Sequence, residues 1–435
     1  MNGPINIGIV GFGTVGTGAV RILLRRQREF ERRLGFPIIL KRIADIDIER
    51  DRGIRLPEGM LIKDFKDILN DPDIHIVVEL IGGINPAKDI ILKAIERGKH
   101  VVTANKALLA TEGEAIFRAA EANGVEVGFE ASVAGGIPII KIMRESLIGN
   151  DIHSIFGIIN GTSNYVLTRM TDEGLDFSTA LADAQRLGYA EADPTLDIEG
   201  IDSAHKLSIL STISFGIPFS FKKIYTEGIT RLSPLDIRFA MELGYTIKLL
   251  AIAKQKGGYV EMRVHPTMLP SDHILSKVRG VYNAVFVEGD AIGQALFYGR
   301  GAGDMPTGSA VVSDIVDIAR DINSCSSERI RGVGIPKRSG LKIKEMDDIL
   351  TCYYLRFYAI DKPGVLSKIS GILGSYNISI RSVIQKERKR EKAVPLVMMT
   401  HRARERDVVN ALKEINKLSV VSGKTLYIRV EEEGE

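Results

Sequence analysis

Apolar and polar positions follow two rhythms along the first 130 residues. Short apolar runs, INIGIV (5–10), PIILKRIAD (37–45), IHIVVELIG (74–82), KHVVTAN (99–105) and VEVGFEA (125–131), read as strands. Between them lie segments with helical spacing. Residues 14–34 carry Val15, Val20, Leu23, Phe30 and Leu34 among their apolar positions, and PAKDIILKAIERG and EGEAIFRAAEANG each close on a glycine, Gly98 and Gly124, suited to a helix C-terminal cap. Near-continuous apolar strands separated by amphipathic helices predict a parallel sheet covered on both faces. Residues 1–131 are therefore expected to form a Rossmann-type α/β domain.

The rhythm changes after residue 131. Helical patterns at about 163–172, 178–187 and 201–215 precede the strand-like runs TIKLLAIAK, YVEMRVHP, NAVFVEG and QALFYG. Strands joined by turns predict a mixed or antiparallel sheet with helices on one side, an α+β domain over 132–304. The glycine-rich GRGAGDMPTG then leads to a helix at about 305–322, expected to complete the first domain. Residues 323–350 are polar and weakly periodic, which suits a linker. From 351 to 435 the order strand–helix–strand–strand–helix–strand predicts a small ferredoxin-like module.

Length and composition narrow the class. At 435 residues, 45% of them apolar, the chain is too long for one core. The net charge of +3 gives no general attraction to nucleic acid or to an acidic membrane. The dense basic run KERKREK (386–392) reads as a solvated hairpin loop. Two cysteines, Cys325 and Cys352, make neither a disulfide framework nor a zinc cluster, and the start MNGPINIGIV lacks the pattern of a signal peptide. No apolar stretch reaches membrane-spanning length. A cytoplasmic protein with no membrane or nucleic-acid partner is expected.

Gly11-Phe12-Gly13-Thr14-Val15-Gly16 follows a predicted strand directly and opens a predicted helix. Such glycines permit a tight turn and close backbone approach, and the helix N-terminus can hold a pyrophosphate. In this context the pattern points to a dinucleotide. Asp45, at the end of the second strand, suits a ribose 2′-hydroxyl and NAD, whereas Arg50 and Arg52 suit a 2′-phosphate and NADP. Both cofactors stay open.

Five acids, Glu191, Asp193, Asp197, Glu199 and Asp202, crowd into AEADPTLDIEGIDSAHK, and Lys206 follows. Asp202 and Lys206 stand four residues apart and share a helix face. Beyond Lys206 the helix carries no charge, which indicates burial. A buried pair is costly to desolvate, and a partly desolvated lysine is a usable proton donor near neutrality. The acids lack the glycine-punctuated pattern of a calcium loop, so a substrate pocket is the better reading than a metal site.

GFGTVG, VVTANKALLA, FEASVAGGIPII, NGTSNYVL and LGYAEADPTLDIEGIDSAHKL together closely resemble homoserine dehydrogenase over about residues 5–322. AIDKPGVLSKISGILGSYNISI resembles an ACT regulatory domain. The resemblance implies interconversion of L-homoserine and L-aspartate 4-semialdehyde with NAD(P), on the way to threonine, methionine and isoleucine, by a dimer or tetramer. It makes Lys206 the acid/base, aided by Asp202 and a second lysine, Lys106, between nicotinamide and substrate. Glu191, Asp202 and Asp197 become substrate contacts, and Gly188 and Gly303 cofactor contacts. Glu130, with the carbonyls of Val133, Gly135 and Ile137, matches a sodium site. Asp361, Gly364 and Asn377 mark an amino-acid effector site, threonine first.

Two other readings compete. Aspartate-semialdehyde dehydrogenase chemistry needs a cysteine nucleophile, and neither cysteine lies in a catalytic block. An amino-acid sensor on a dehydrogenase scaffold would have lost its lysine–carboxylate pairs, and these are present.

Overall fold

The computed structural model describes residues 3–324, 340–386 and 393–432. Cys325, most of the expected linker and nearly all of the KERKREK run lie outside them. Among the described residues no helix is long and apolar enough to cross a membrane. The chain divides into two compact units, one drawn from 1–161, 202–224 and 281–341, the other from 162–201, 225–280 and 342–435.

In the first unit, β1 (Ile5–Val10), α1 (Thr14–Leu34), β2 (Ile38–Ala44), β3 (Leu61–Ile62), α2 (Lys66–Asn70), β4 (Ile76–Glu79), α3 (Ala87–Glu96), β5 (His100–Thr103), α4 (Lys106–Asn123) and β6 (Val127–Gly128) form a doubly wound layer. The strands run parallel in the order β3-β2-β1-β4-β5-β6, so the winding reverses between β1 and β4. Ligands bind at such a reversal, beyond the carboxyl ends of the strands. β3 was not legible in the sequence, being two residues without a period. α4 starts at Lys106, earlier than its apolar pattern predicts, because the Asn105 side chain accepts the Leu108 N–H and caps it.

Helix Asp304–Ser324 lies across α1 at very short range. A Cβ on Gly18 would stand 1.9 Å from the Asp304 carbonyl oxygen, so only glycine permits this crossing. Val311, Ile315 and Ile318 of that helix join Ile7, Ile9 and Val20 in one apolar core. The same unit holds an antiparallel set in which Tyr282–Gly289 pairs with both Ile152–Ile158 and Gly293–Arg300.

The second unit is a mixed sheet. Tyr245–Lys256 and Tyr259–Pro270 pair antiparallel. The ferredoxin-like module follows its expected order: strand Leu350–Ile360, helix Val365–Ser375, strands Ile380–Ile384 and Ala393–Thr400, helix Glu405–Ile415 and strand Val421–Val430. This module is no separate bead. Its last strand pairs parallel with Tyr259–Pro270, at Thr267–Arg429 and Met268–Val430, and Lys342–Ile343 pairs with Tyr259–Val260. Asp236, wholly buried, takes the Arg356 guanidinium on both oxygens and anchors the module again. Cys352 is buried in the module.

Candidate active site

The glycine loop separates what the fold requires from what a ligand requires. Gly11 has φ +106°, and a Cβ there would stand 2.6 Å from the Leu80 carbonyl carbon; one on Gly16 would stand 2.2 Å from the Gly11 oxygen. At Gly13 a Cβ would meet nothing within 4 Å. Gly13 is also the N-cap of α1 and offers it no side-chain cap. An open approach to uncapped helix N–H groups fits a pyrophosphate. Thr14, Val15 and Gly16 form the first turn of α1, and Phe12 is buried.

Asp45 is busier than the sequence suggests. Its Oδ2 accepts the Phe12 N–H at 2.5 Å, its Oδ1 accepts the Asp47 N–H at 2.9 Å, and Arg52 pairs with it at 3.2 Å. Arg52 donates also to the Phe12 carbonyl at 2.7 Å and stacks over the Phe12 ring. Arg52 is thus committed to holding the loop, while Arg50 stays exposed.

Asp202, 4% exposed, lies between two lysines. Its Oδ2 accepts Lys206 Nζ at 2.7 Å and Asn160 Nδ2 at 2.9 Å, and its Oδ1 pairs with Lys106 Nζ at 2.7 Å. Lys206, 7% exposed, donates also to the Ile159 carbonyl at 2.6 Å. Burial would raise the Asp202 pKa, but the Lys206 and Lys106 charges outweigh it and hold the carboxyl well below its ordinary range. The carboxylate is therefore ionised and the lysines are aimed. Two cations for one anion suit a centre where an oxygen gains negative charge. Beside it, the His205 ring lies on Phe221 at 4.2 Å, its pKa lowered by burial.

Sequence reasoning missed Glu79. This fully buried acid ends β4, accepts the Ile81 and Gly82 N–H groups on Oε1 and the Thr103 hydroxyl on Oε2. Thr103 in turn accepts the Asn105 N–H, so Glu79 sets the turn that launches Lys106. The available signal was one acid inside the apolar run IVVELIG.

The second unit holds the other acids. Glu191 is exposed, and the Asp193 carboxylate accepts the Thr195 N–H and hydroxyl in the turn before a short helix. Asp197 sits in that helix, and its carbonyl accepts the Ser163 hydroxyl at 2.8 Å. Gly188 has φ +74° and terminates helix Phe177–Arg186, while in the first unit Gly303 (φ +127°) precedes helix Asp304–Ser324. Among the described residues no three of His, Cys, Asp and Glu gather as a metal cluster.

Glu130 is nearly buried. Its two oxygens accept the Ile140 and Lys141 N–H groups, and burial pushes its pKa up to about 7. Asp314, which accepts the Glu130 N–H, is raised too, by burial and by the Glu130 charge. Ala134 and Gly135 both take left-handed φ, and the Ile137 carbonyl already accepts the Ile139 N–H. Under-compensated acid beside irregular carbonyls is a hard-oxygen donor set that fits a hard cation. In the C-terminal module, Gly364 (φ +86°) caps helix Val365–Ser375, Asp361 accepts from Gln385 at 3.2 Å, and Asn377 is exposed at φ +57°, ending the turn after the helix.

Comparison with known proteins identifies the family. The homoserine dehydrogenase NAD-binding family model matches residues 11–130, the homoserine dehydrogenase model residues 138–316 and the ACT domain model residues 353–420. Homoserine dehydrogenases of Neisseria gonorrhoeae and Pseudomonas aeruginosa are each 46% identical, over 98% and 99% of this chain and 99% of theirs. The chain belongs to the homoserine dehydrogenase family. The crystal structure of a homoserine dehydrogenase from Thiobacillus denitrificans shares 48% identity over the whole of both chains, with a TM-score of 0.94. A hyperthermophilic archaeal homoserine dehydrogenase mutant in complex with NADPH is 28% identical over 73% of this chain and 98% of its own, with a TM-score of 0.62. Membership makes the chain an oxidoreductase with an NAD(P)-binding domain and a C-terminal ACT domain.

Proposed function

We propose that Lys206 is the acid/base of the interconversion of L-homoserine and L-aspartate 4-semialdehyde, and that Asp202 and Lys106 support it. The observation that carries this reading is one buried carboxylate held between two ammonium groups at 2.7 Å each. The bound dinucleotide supplies or accepts the hydride. As hydride reaches the aldehyde carbon, the carbonyl oxygen becomes an alcohol oxygen and needs a proton, which Lys206 Nζ gives. Lys106 steadies the developing charge, and Asp202 keeps both lysines charged and aimed. Glu191 and Asp197 would face the substrate's ammonium and polar ends. Gly11 to Gly16, Gly188 and Gly303 would line the dinucleotide, with Asp45 at the adenosine side through the loop it braces and exposed Arg50 available to a 2′-phosphate.

The same reading gives Glu130, with Val133, Gly135 and Ile137, a monovalent cation such as sodium. It gives the ACT domain an amino-acid effector near Asp361, Gly364 and Asn377, threonine first, in a cytoplasmic enzyme of threonine and methionine synthesis. A homo-oligomer is supported by the strand Gly293–Arg300, an exposed edge of the kind that pairs between chains. The test is Lys206→Ala: turnover followed by NAD(P)H absorbance should fall about 100- to 10,000-fold while dinucleotide affinity holds. Near-normal turnover would overturn the assignment.

A further inference from the structure

Arg429 is wholly buried in the last strand of the ACT domain, and four acidic or phenolic partners converge on it: Glu405, Glu227, Tyr225 and, two residues back in its own strand, Tyr427 at 3.5 Å. Its Nε donates to Glu405 Oε2 at 2.9 Å and its Nη2 to Glu405 Oε1, a two-pronged pairing with the first residue of helix Glu405–Ile415. On the other side Nη1 donates to Glu227 Oε2 at 2.8 Å and Nη2 to the Tyr225 hydroxyl at 3.0 Å. Tyr225 also donates to Glu227 at 2.9 Å, and its ring lies under the guanidinium at 4.8 Å. One side chain thus clamps the ACT domain to residues 225–227.

That segment continues directly into the acidic stretch. Tyr225–Thr226 pairs with Tyr259–Pro270, at Arg263 and Val264. Gly228 is pressed on the backbone of Ile198 and Glu199: a Cβ there would stand 2.3 Å from the Ile198 oxygen. The Ile229 N–H donates to that oxygen at 2.8 Å, and the Thr230 hydroxyl to Glu199 at 3.1 Å. Residues 225–230 therefore form the wall on which the end of the 191–199 segment rests, and Asp197 lies in that segment.

We infer that Arg429 and Glu227 are positioning residues that couple the ACT domain to the substrate acids and so set affinity for the amino-acid substrate. A planar fork bonded to Glu405 and Glu227 together accepts only one placement of the two. Apolar side chains would bury as well but would fix no such register. Any shift of helix Glu405–Ile415 relative to residues 225–227 must move or break the arm to Glu227, and the wall at 225–230 with it. An effector acts through this arm only as far as it prefers one of the two placements. The inference rests on the reading of Glu191 and Asp197 as substrate residues.

The experiment uses the full-length enzyme with Glu227→Gln, Glu405→Gln and the double variant, assayed by homoserine oxidation. Glu227→Gln keeps the shape of the arm and leaves Arg429 paired with Glu405. Either single change should raise the homoserine KM about 3- to 10-fold, with kcat and the dinucleotide KM within about twofold, and the double should rise less than the product of the singles. A general loss of fold would lower kcat and disturb the dinucleotide KM as well. An unchanged homoserine KM in Glu227→Gln, or fully multiplicative effects, overturns the inference. Should Glu227→Gln fail to fold, Tyr225→Phe removes one hydroxyl from the same arm and is judged by the same split. Glu191→Gln separates the failures. If it raises the homoserine KM and Glu227→Gln does not, the coupling is wrong; if it does not, the reading of the substrate acids falls and the inference with it.

Discussion

Replacing Asp202 by Asn tests the centre of the site with almost no change of shape. The amide keeps the volume of the carboxylate but leaves two ammonium groups facing each other without an anion. Breaking a buried pair by removing one partner costs about 3 to 5 kcal/mol. The Lys206 arm carries most of that, since its side chain is 9% exposed, whereas the Lys106 side chain is 43% exposed and its arm is largely screened by solvent. We therefore expect about 3 kcal/mol of lost stability, read as a fall of about 5 °C or more in Tm. Because the folded pKa of Asp202 is depressed, its stabilising contribution is complete above the unfolded carboxylate value and vanishes only as pH falls through the depressed one. The stability gap between wild type and variant should thus be constant from about pH 5 to 8 and close only in strong acid. In kinetics, Lys206 loses the anion that keeps it charged, so the alkaline limb of the reduction profile should move to lower pH and kcat/KM should fall about 100-fold or more. Differential scanning fluorimetry and pH–rate profiles read both effects. A variant with unchanged Tm and unchanged profile would show that the three side chains are not coupled.

Other expectations follow from the same geometry. Gly13→Ala should keep the wild-type Tm but weaken dinucleotide binding in a titration, whereas Gly16→Ala should destabilise the fold itself, because only its Cβ would strike backbone. With the Glu130 pKa raised from 4.5 to about 7, stability in sodium-free choline buffer should be full below about pH 4.5 and decline by about 3 kcal/mol as pH rises through 7. Sodium should restore the loss at pH 8 in thermal melts, and Glu130→Gln should reduce the slope to the part that buried Asp314 contributes; a flat profile in wild type would remove the cation assignment. Cutting the chain before Lys342 should give aggregated protein rather than a desensitised enzyme, since Asp236, Arg263 and Glu227 would lose the buried partners Arg356, Glu431 and Arg429. A soluble, active truncation on gel filtration would refute the shared-sheet account.

The sequence by itself determined the elements and much of the chemistry. Hydrophobic period is a local property, so the parallel-sheet domain, the ferredoxin-like order and helix Ile201–Phe215 were legible from spacing alone. The Asp202–Lys206 pair was legible because four residues make one helical turn and the uncharged remainder of the helix announced burial. Lys106 entered only through family resemblance, for nothing local distinguishes a lysine that begins a helix from one aimed at a carboxylate almost a hundred positions away. Asp45 and Arg52 were visible as types, but that both brace the loop depends on a turn no period encodes. The linker before the ACT domain was read from polarity, and polarity does not reveal that Lys342–Ile343 and Arg429–Val430 find partners on Tyr259–Pro270. Glu79 showed only as one acid inside an apolar run, and Glu227 carried no signal beyond an acid in an ordinary place. Their roles arise from partners distant along the chain, brought within 3 Å when the sheets close. Tertiary structure decided those contacts because hydrogen bonds and ion pairs depend on distance in space, while sequence patterns record only distance along the chain.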